Sequence, residues 1–278
     1  MPRLSAARAE LTREVFVQDE FGARRNISIP AERALTVFVD KRELVTLMTL
    51  GAAPELLVLG YLRNQRLVGS AAEIESITVD WEVQAAAVKT RAGIERFDEK
   101  TAKRVVTTGC GQGTVFGDLM TDLGSISLPP ADEITARLSQ ATLYGLLNAM
   151  RTQESTYKSA GSVHGCALFC QDRLLMFVED VGRHNAIDTI AGWMWMNAVS
   201  GGDKIFYTTG RLTSEMVIKS AQMGVPVIVS RSGITQMGHE LATRLGLALF
   251  GRATNRHFLC YSGFERFDAE PEPARAPA

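Results

Sequence analysis

The most informative segment of the chain is Phe177-Val-Glu-Asp-Val-Gly-Arg-His-Asn-Ala-Ile-Asp-Thr-Ile190. The apolar run 174–178 predicts a buried strand, and the apolar period that starts at Ala186 predicts a helix. Between them, a turn around Gly182 holds the charged and polar residues Glu179, Asp180, Arg183, His184 and Asn185. Loops that lead from a strand into a helix bind ligands in open α/β folds, so this turn is a candidate site. A salt-bridged turn that only joins the two elements is an equally good interpretation.

The same pattern continues along the second half of the chain. Helices are predicted at 131–150, 184–198, 213–223 and 235–245, and strands at 163–170, 173–178, 205–207, 225–229, 247–250 and 258–261. Strands that alternate with helices of about eleven residues indicate a parallel sheet covered on both faces. We therefore predict an α/β domain over residues 129–267, which begins at the Pro129-Pro130 break, and a disordered tail over 268–278.

The first half of the sequence predicts a different pattern of elements. Strands are predicted at 27–29, 35–39, 44–48, 74–83 and 86–91, with a turn at 40–42 and a helix at 54–62. This pattern favours a small β-rich α+β domain over residues 26–128, which includes a glycine-rich loop around Cys110. Residues 1–25 are polar and aperiodic, so we expect a flexible leader there.

Composition excludes several classes of protein. The 278 residues are 46% apolar and 22% charged, and the formal net charge is −1. There is no electrostatic argument for binding nucleic acid or an anionic membrane surface. No apolar stretch reaches the roughly 18 residues that a membrane span needs, and the first residues do not form a secretory signal. The four cysteines fit neither a disulfide framework nor a zinc ribbon, which favours a reduced, cytoplasmic protein.

Arginine-containing loops follow several of the predicted strands. Arg183, Arg211 and Arg231 each lie just after a strand, together with glycines, hydroxyls and a helix N-terminus. The carboxyl ends of parallel strands meet at one edge of a sheet, so these loops should form an anionic ligand site suited to phosphate or pyrophosphate. The segment 252–257 follows a further strand and adds two arginines and a histidine. Ordinary helix caps with solvated arginines are the alternative.

The cysteines differ in their surroundings. Cys110 lies between Gly109 and Gly111, in a loop with little side-chain cover, which favours an accessible thiol. Cys166 and Cys170 lie on one face of a strand together with His164, but the glutamate that a zinc deaminase needs is replaced by Cys166. We interpret these strand cysteines as part of the core.

Taken together, these segments resemble a known family. Glu179-Asp-Val-Gly-Arg-His-Asn-Ala186, Thr209-Gly-Arg211, Gly224-Val-Pro226, Ser230-Arg-Ser232 and the Cys110 loop are similar to the FdhD family of formate dehydrogenase accessory sulfurtransferases, and most similar to its FdsC-like subtype. The resemblance runs from about residue 27 to 266. It implies a cytidine-deaminase-like α/β domain joined to a smaller β-rich α+β domain.

The resemblance also implies an activity. Members of the family are expected to act in the cytoplasm, often as homodimers, and to bind the molybdenum bis(molybdopterin guanine dinucleotide) cofactor, with GDP as a fragment of it. They take sulfur from an L-cysteine desulfurase as a persulfide on a loop cysteine, here Cys110, and serve the molybdenum subunit of formate dehydrogenase. The expected cofactor-binding residues are Arg183, His184, Arg211, Arg231, Arg252, Ala253, Thr254, Asn255, Arg256 and His257.

The chain departs from the family at one position. The family loop usually reads Cys-Gly-x-Cys, whereas this chain has Cys110-Gly-Gln-Gly113. A second cysteine could resolve the persulfide as a disulfide, and Gly113 closes that route. Two functions therefore stay open: sulfur transfer by Cys110 alone, or a non-catalytic chaperone that binds the cofactor and inserts it into formate dehydrogenase.

Overall fold

A computed structural model describes residues 1–94, 124 and 126–270. The loop of Cys110 and Gly113 and the end of the predicted tail, residues 271–278, lie outside the described residues. Within the described part, the chain forms a mixed α/β structure with two main sheets, as the sequence predicted. None of its helices is long and apolar enough to cross a membrane.

The first sheet contains five strands in the order β1-β6-β7-β4-β5. The elements of this half are β1 (Arg3–Leu4), β2 (Thr12–Gln18), β3 (Arg24–Pro30), β4 (Arg33–Val39), β5 (Arg42–Thr49), α1 (Pro54–Asn64), β6 (Ile74–Asp80) and β7 (Ala85–Thr90). Leu35, Val37 and Val39 alternate inward along β4 and pack in one core cluster with the buried face of α1. Asp40 and Lys41 have φ angles of 46° and 71°, which form the hairpin turn predicted there.

The expected flexible leader at residues 1–25 is wrong. β1 pairs in parallel with β6, Ala9 is buried, and Trp81 Nε1 donates a hydrogen bond to the Ala7 carbonyl. Further along, β2 and β3 pair as an antiparallel hairpin. These strands are difficult to predict from the sequence because they are short or half exposed. Their apolar residues alternate with charged ones instead of forming a run.

The second sheet contains six strands in the order β10-β9-β11-β12-β13-β14. The elements of this half are β8 (Leu138–Ser139), α2 (Gln140–Thr152), α3 (Thr156–Ala160), β9 (His164–Cys170), β10 (Arg173–Asp180), α4 (Arg183–Met196), β11 (Lys204–Thr208), α5 (Ser214–Gln222), β12 (Val227–Ser230), α6 (Gln236–Leu245), β13 (Ala248–Thr254), β14 (His257–Ser262) and β15 (Phe267–Asp268). Core residues of α4, α5 and α6 cover one face, and those of α2 pack on the other.

The sheet is parallel over β11, β12 and β13, as the sequence predicted, but it is not parallel throughout. β11, β12 and β13 are parallel, but β9 is antiparallel to both β10 and β11, and β14 is antiparallel to β13. The reason is the length of the connections, since two-residue turns at 171–172 and 255–256 can join only antiparallel neighbours. β10 nevertheless runs in the same direction as β11, because both are antiparallel to β9.

The predicted start of one helix and the predicted start of the tail also differ from the structure. The helix expected at 131–150 starts only at residue 140, because the Ser139 hydroxyl accepts a hydrogen bond from Thr142 N (3.0 Å) and caps it there. β8, just before this cap, pairs with β15, and Arg137 forms an ion pair with Asp268. The tail predicted to be disordered from residue 268 is therefore ordered at its first residue.

Helices α1 and α4 join the two halves of the molecule with their backbones in contact. A Cβ atom at Gly60 would lie 1.6 Å from the Asp188 carbonyl oxygen, and one at Gly192 would lie 2.0 Å from the Leu56 carbonyl oxygen. Arg63 Nη1 donates to the Ala191 carbonyl at 2.9 Å in the same crossing. Only glycine permits so close an approach of the two helix backbones. The domain boundary at residues 128/129 stays a prediction.

Candidate functional site

The loops predicted to converge do lie at one edge of the second sheet. β10, β11, β12 and β13 run in the same direction, so their carboxyl ends meet there, and β9 starts there. We call the residues Arg183, Arg211, Arg231 and Arg252 at these strand ends the arginine edge.

Hydrogen bonds tie each loop of the edge to the next. Gly165 N donates to Thr209 Oγ1 at 3.0 Å, and Ser230 Oγ donates to the Gly210 carbonyl at 2.7 Å. Arg252 N donates to the Ser232 carbonyl at 2.8 Å. The backbone that carries the arginines is therefore fixed before any ligand binds, which lowers the entropic cost of binding.

The arginines differ in exposure. Arg183, the first residue of α4, is 6% exposed, and its side chain packs against Gly210, where a Cβ atom would lie 2.8 Å from Arg183 Cδ. Arg211 and Arg231 are exposed, and the Arg231 guanidinium lies 5.1 Å from the centre of the Tyr157 ring. Within the described residues, no carboxylate forms an ion pair with Arg211 or Arg231. Their positive charge is therefore available to an anion.

His164 belongs to this cluster, although the sequence argument considered it only as a core or metal-site residue. It is the first residue of β9 and is half-buried. Burial, followed by the charges of Arg183, Arg211 and Arg231, lowers the pKa of its imidazole. The sequence pattern alone does not reveal this position, because it depends on β9 starting at the edge where the parallel strands end.

The acidic residues of the central turn have structural roles. The Glu179 carboxylate accepts hydrogen bonds from Thr156 N (2.5 Å) and Tyr157 N (3.1 Å) at the start of α3. Negative charge at the N-terminus of a helix is stabilising. Glu179 therefore fixes the start of α3 against the end of β10.

Asp180 connects the turn to the first sheet. Its carboxylate accepts hydrogen bonds from Thr49 Oγ1 (2.5 Å) and Leu50 N (3.0 Å) at the end of β5, and from Gly182 N (3.1 Å). Asn185 Nδ2 donates to the same carboxylate and to the Met48 carbonyl, both at 2.7 Å. Burial raises the pKa of Asp180, and these hydrogen bonds oppose that effect.

His184, a predicted cofactor-binding residue, lies beneath the surface. It is 2% exposed, and its Nε2 lies 3.4 Å from Glu215 Oε2 of α5. Burial, and then the charge of Lys219, lowers the pKa of His184 to about 3, so the ring is neutral at physiological pH. Lys219 also forms a fully buried ion pair with Asp188 at 2.9 Å. His184 therefore belongs to a buried network between α4 and α5, and its contact with a cofactor stays a prediction.

The residues of the segment 252–257 differ in backbone conformation, exposure and contacts. Arg252 has a left-handed φ of 51° at an irregularity in the β13–β14 pairing, a conformation that is unusual for arginine and re-aims its side chain. Ala253 is buried, whereas Thr254, Asn255 and His257 are exposed around the turn. The Arg256 guanidinium lies 5.6 Å from the centre of the Tyr144 ring of α2. Arg252 is therefore tied to the other loops of the edge through Ser232, while Arg256 is positioned over an aromatic ring.

Two of the three described cysteines are poor nucleophiles, and the third is half-buried in a strand. Cys166 is fully buried, and burial raises the pKa of its thiol to about 12. Burial likewise raises the pKa of Cys260 to about 11. Cys170 is half-buried, and its Sγ donates to Asp203 Oδ2 at 3.6 Å. The core interpretation is confirmed for Cys166, and no group of potential metal ligands occurs among the described residues. The predicted nucleophile, Cys110, lies outside them.

Comparisons with known proteins show which family the chain belongs to. The model of the FdhD/NarQ family matches residues 30–268. The chain is 30% identical over 239 residues to the sulfur carrier protein FdhD of Bacillus subtilis, a match that covers 84% of this chain and 88% of the relative. It is 31% identical over 238 residues to the corresponding protein of Bacillus licheniformis, with the same coverage.

A solved structure shares the fold. The crystal structure of a protein from Desulfotalea psychrophila, described as a formate dehydrogenase accessory protein, superposes with a TM-score of 0.72 at 24% sequence identity. The match covers 92% of this chain and 98% of that one.

Proposed function

Because the chain belongs to the FdhD/NarQ family, we propose that it is an accessory sulfurtransferase of formate dehydrogenase. In this proposal, Cys110 accepts sulfur from an L-cysteine desulfurase as a persulfide. The arginine edge binds the molybdenum bis(molybdopterin guanine dinucleotide) cofactor as the client, and the sulfur is passed to it for the molybdenum subunit of formate dehydrogenase. The protein is proposed to act in the cytoplasm as a homodimer.

The observation that carries the proposal is the arginine edge. It combines the guanidinium groups of Arg183, Arg211 and Arg231 on loops that are hydrogen-bonded to one another. The carboxylates of Glu179 and Asp180 accept hydrogen bonds from backbone N–H groups and neutral side chains. The guanine dinucleotide client carries pyrophosphate groups, and arginine binds phosphate oxygens through two parallel hydrogen bonds. The edge therefore suits this client.

The sulfur-accepting step needs a single thiolate. The Cys110 thiolate would attack the outer sulfur of the desulfurase persulfide, and the desulfurase cysteine would leave as a thiolate. One sulfur–sulfur bond forms and one breaks, so the step requires no oxidant. Buried Cys166 and half-buried Cys260 are unsuited to it, because their raised pKa values keep them protonated at neutral pH. Cys170 is half-buried in β9, whereas Cys110 lies in a glycine-rich loop and is the preferred candidate.

One sequence feature favours a second function. Gly113 occupies the position where the family usually has a second cysteine, so the persulfide cannot be resolved as a disulfide within this loop. The chain would then be a chaperone that binds the cofactor and inserts it into formate dehydrogenase without transferring sulfur. Both functions use the arginine edge, and they differ only in the need for Cys110.

Mass spectrometry of the intact protein tests the sulfur-accepting step. After incubation with a desulfurase and L-cysteine, we expect the wild type to gain the mass of one sulfur atom and to lose it again on reduction. Cys110→Ala should gain nothing, whereas Cys170→Ala, the matched control, should gain sulfur like the wild type. Sulfur loading of Cys110→Ala equal to that of the wild type would place the carrier at another cysteine.

Formate oxidation in cells separates the two functions. Cells whose only copy is Cys110→Ala should contain formate dehydrogenase without activity, although the variant still binds GDP with the wild-type affinity. Wild-type formate oxidation in those cells would eliminate the transferase and leave the chaperone.

A further inference from the structure

We propose that His164 is a further ligand-binding residue of the arginine edge and that it takes up a proton when the pyrophosphate group of the ligand binds. This inference rests on the proposed function, since it assumes that the edge binds a pyrophosphate. It assigns to the site a residue outside the predicted set, and it makes binding dependent on pH.

The first argument is position. His164 is the first residue of β9, and its Cα pairs with that of Asp180, the last residue of β10. Arg183, Arg211 and Arg231 come from three different loops, and all of them act electrostatically on its ring. A half-buried imidazole near these three guanidinium groups is placed to contact an anion that binds to them.

The second argument concerns the two ring nitrogens. Thr209 Oγ1 accepts a hydrogen bond from Gly165 N, so its hydroxyl proton is available to another acceptor. Nδ1 of His164 lies 3.5 Å from that oxygen. This arrangement favours the neutral tautomer in which Nδ1 accepts and Nε2 carries the proton. Among the described residues, Nε2 has no hydrogen-bond partner, so its N–H group is available to a phosphate oxygen.

The Thr209 hydroxyl can also form a hydrogen bond with the protonated His164 ring. A hydroxyl oxygen has two acceptor sites, and Gly165 N occupies one of them. When Nδ1 becomes protonated, it can donate to the second site after the Thr209 hydroxyl has rotated. Both protonation states therefore have a hydrogen-bond partner, and the proton itself comes from the solvent or buffer.

The third argument is electrostatic linkage. In the free protein, burial and the surrounding arginines lower the pKa of His164 below its ordinary value, so the ring is neutral at physiological pH. A bound pyrophosphate adds negative charge beside the ring and raises that pKa. Affinity is then greatest below the pKa of the free protein and is lost as the pH rises through the pKa of the complex. An increase of about one pKa unit corresponds to about a tenfold change in affinity.

The other groups around His164 do not produce this dependence. The arginines stay charged throughout the pH range in question. The Asp180 carboxylate is buried and accepts several hydrogen bonds on the side of the first sheet. The pKa of His184, whose ring is influenced by His164, is about 3 and lies below the range. His164 is therefore the group of this cluster expected to titrate on binding, and the His164→Gln variant separates it from His257, the exposed histidine of the segment 252–257.

The ligand for the test must not titrate in the same range. GDP has a terminal phosphate whose second pKa is about 6, which would add its own pH dependence. GDP-mannose carries the same guanine nucleotide and a pyrophosphate diester that lacks this ionisation. We therefore choose GDP-mannose as the probe and measure its affinity by calorimetry between about pH 5 and about pH 8, the range in which histidine titrates.

The variants are His164→Gln and, as the matched control, His239→Gln. Glutamine retains hydrogen-bonding groups but cannot take up a proton in this range. His239 is exposed on α6, with its ring Nε2 3.0 Å from the Tyr261 carbonyl oxygen. We expect wild type and His239→Gln to bind GDP-mannose about tenfold more weakly at the alkaline end, and His164→Gln to show a flat profile.

A direct measurement complements the affinities. The chain has four histidines, so nuclear magnetic resonance can follow the His164 ring protons separately. Their titration midpoint should move to higher pH when GDP-mannose is added. An unmoved midpoint with the ligand bound, or a pH profile of His164→Gln that matches the wild type, would overturn the inference and leave the proposed function intact. Absence of GDP-mannose binding at every pH would overturn the inference together with the cofactor site. The loading of Cys110 with sulfur would still be tested separately.

Discussion

Replacing Lys219 by methionine should lower the free energy of unfolding by about 3–5 kcal/mol, because it leaves a buried carboxylate without its cation. The side chains of Lys219 and Asp188 are completely buried, and Lys219 Nζ lies 2.9 Å from Asp188 Oδ2 and 3.4 Å from Glu215 Oε1. After the substitution, Asp188 retains one described hydrogen bond, which it accepts from Asn64 Nδ2 at 2.7 Å. Methionine is a flexible apolar side chain of similar length, so the loss of charge and not of volume should dominate.

The loss should depend on pH in a defined direction. Burial raises the pKa of Asp188, and the Lys219 ammonium group opposes that effect. Without the ammonium group, the pKa of Asp188 in the folded variant rises further above its unfolded value. A carboxyl group whose pKa is raised by folding destabilises the fold fully above the folded pKa, and the effect declines as the pH falls from that value to the unfolded pKa. The difference in stability between variant and wild type should therefore be smaller at acidic than at alkaline pH.

Thermal and urea denaturation measure this prediction. A loss of 1 kcal/mol lowers Tm by roughly 2–4 °C in a chain of about this size, so Lys219→Met should lower it by roughly 10 °C. Lys89→Met is the matched control, since Lys89 forms an exposed ion pair with Glu75 at 2.8 Å, and such pairs contribute about 0–1 kcal/mol. The double variant Lys219→Met/Asp188→Asn should regain part of the loss. If Lys219→Met were as stable as Lys89→Met, the buried pair would not stabilise the contact between α4 and α5.

Two further predictions concern the ligand site and the crossing of α1 and α4. Arg211→Ala should weaken GDP binding by about 1.5–3 kcal/mol, roughly 10- to 100-fold in calorimetry. The control variant Arg151→Ala, which changes an exposed residue of α2, should bind GDP as the wild type does. Equal affinity in both variants would place the nucleotide elsewhere. Gly192→Ala should destabilise the protein by at least about 2 kcal/mol in urea denaturation, because the new methyl group would overlap the Leu56 carbonyl oxygen. In the control variant Gly233→Ala, no atom lies within 4 Å of the new methyl group, so the stability should change by less than about 0.5 kcal/mol. An equal loss in both variants would contradict the contact.

The sequence predicted the parts of the fold that depend on local patterns. Apolar runs of strand length correctly indicated β11, β12 and β13, and the apolar period after Gly182 correctly indicated α4. The convergence of Arg183, Arg211 and Arg231 followed from a general property of parallel strands, and the structure confirms that their loops share one edge. These predictions needed no knowledge of which residues meet across the fold.

The errors arose where pairing over long distances decides the structure. β1 is a strand only because β6 lies beside it, more than seventy positions away in the chain. The start of α2 is fixed by the cap at Ser139, whereas the amphipathic pattern before it continues without interruption. His164 could not be assigned to the edge, because its position depends on the antiparallel pairing of β9 with β10 and β11. Periodicity identifies elements, but it does not identify their neighbours.

The structural interpretation of the central turn holds for its acidic residues and for His184, whereas the ligand-binding interpretation stays a prediction for Arg183. Glu179 and Asp180 hold α3 and the end of β5 in place, and His184 lies in the buried network with Glu215. Arg183 follows directly, and it is fixed against Gly210 at the edge where a ligand would bind. The acidic residues therefore position the arginine that contributes the charge. It follows that lost activity on substitution of Asp180 does not identify a ligand contact, because the same substitution releases the loop that carries Arg183. Stability and ligand affinity have to be measured on the same variant before a residue of this turn is assigned to binding.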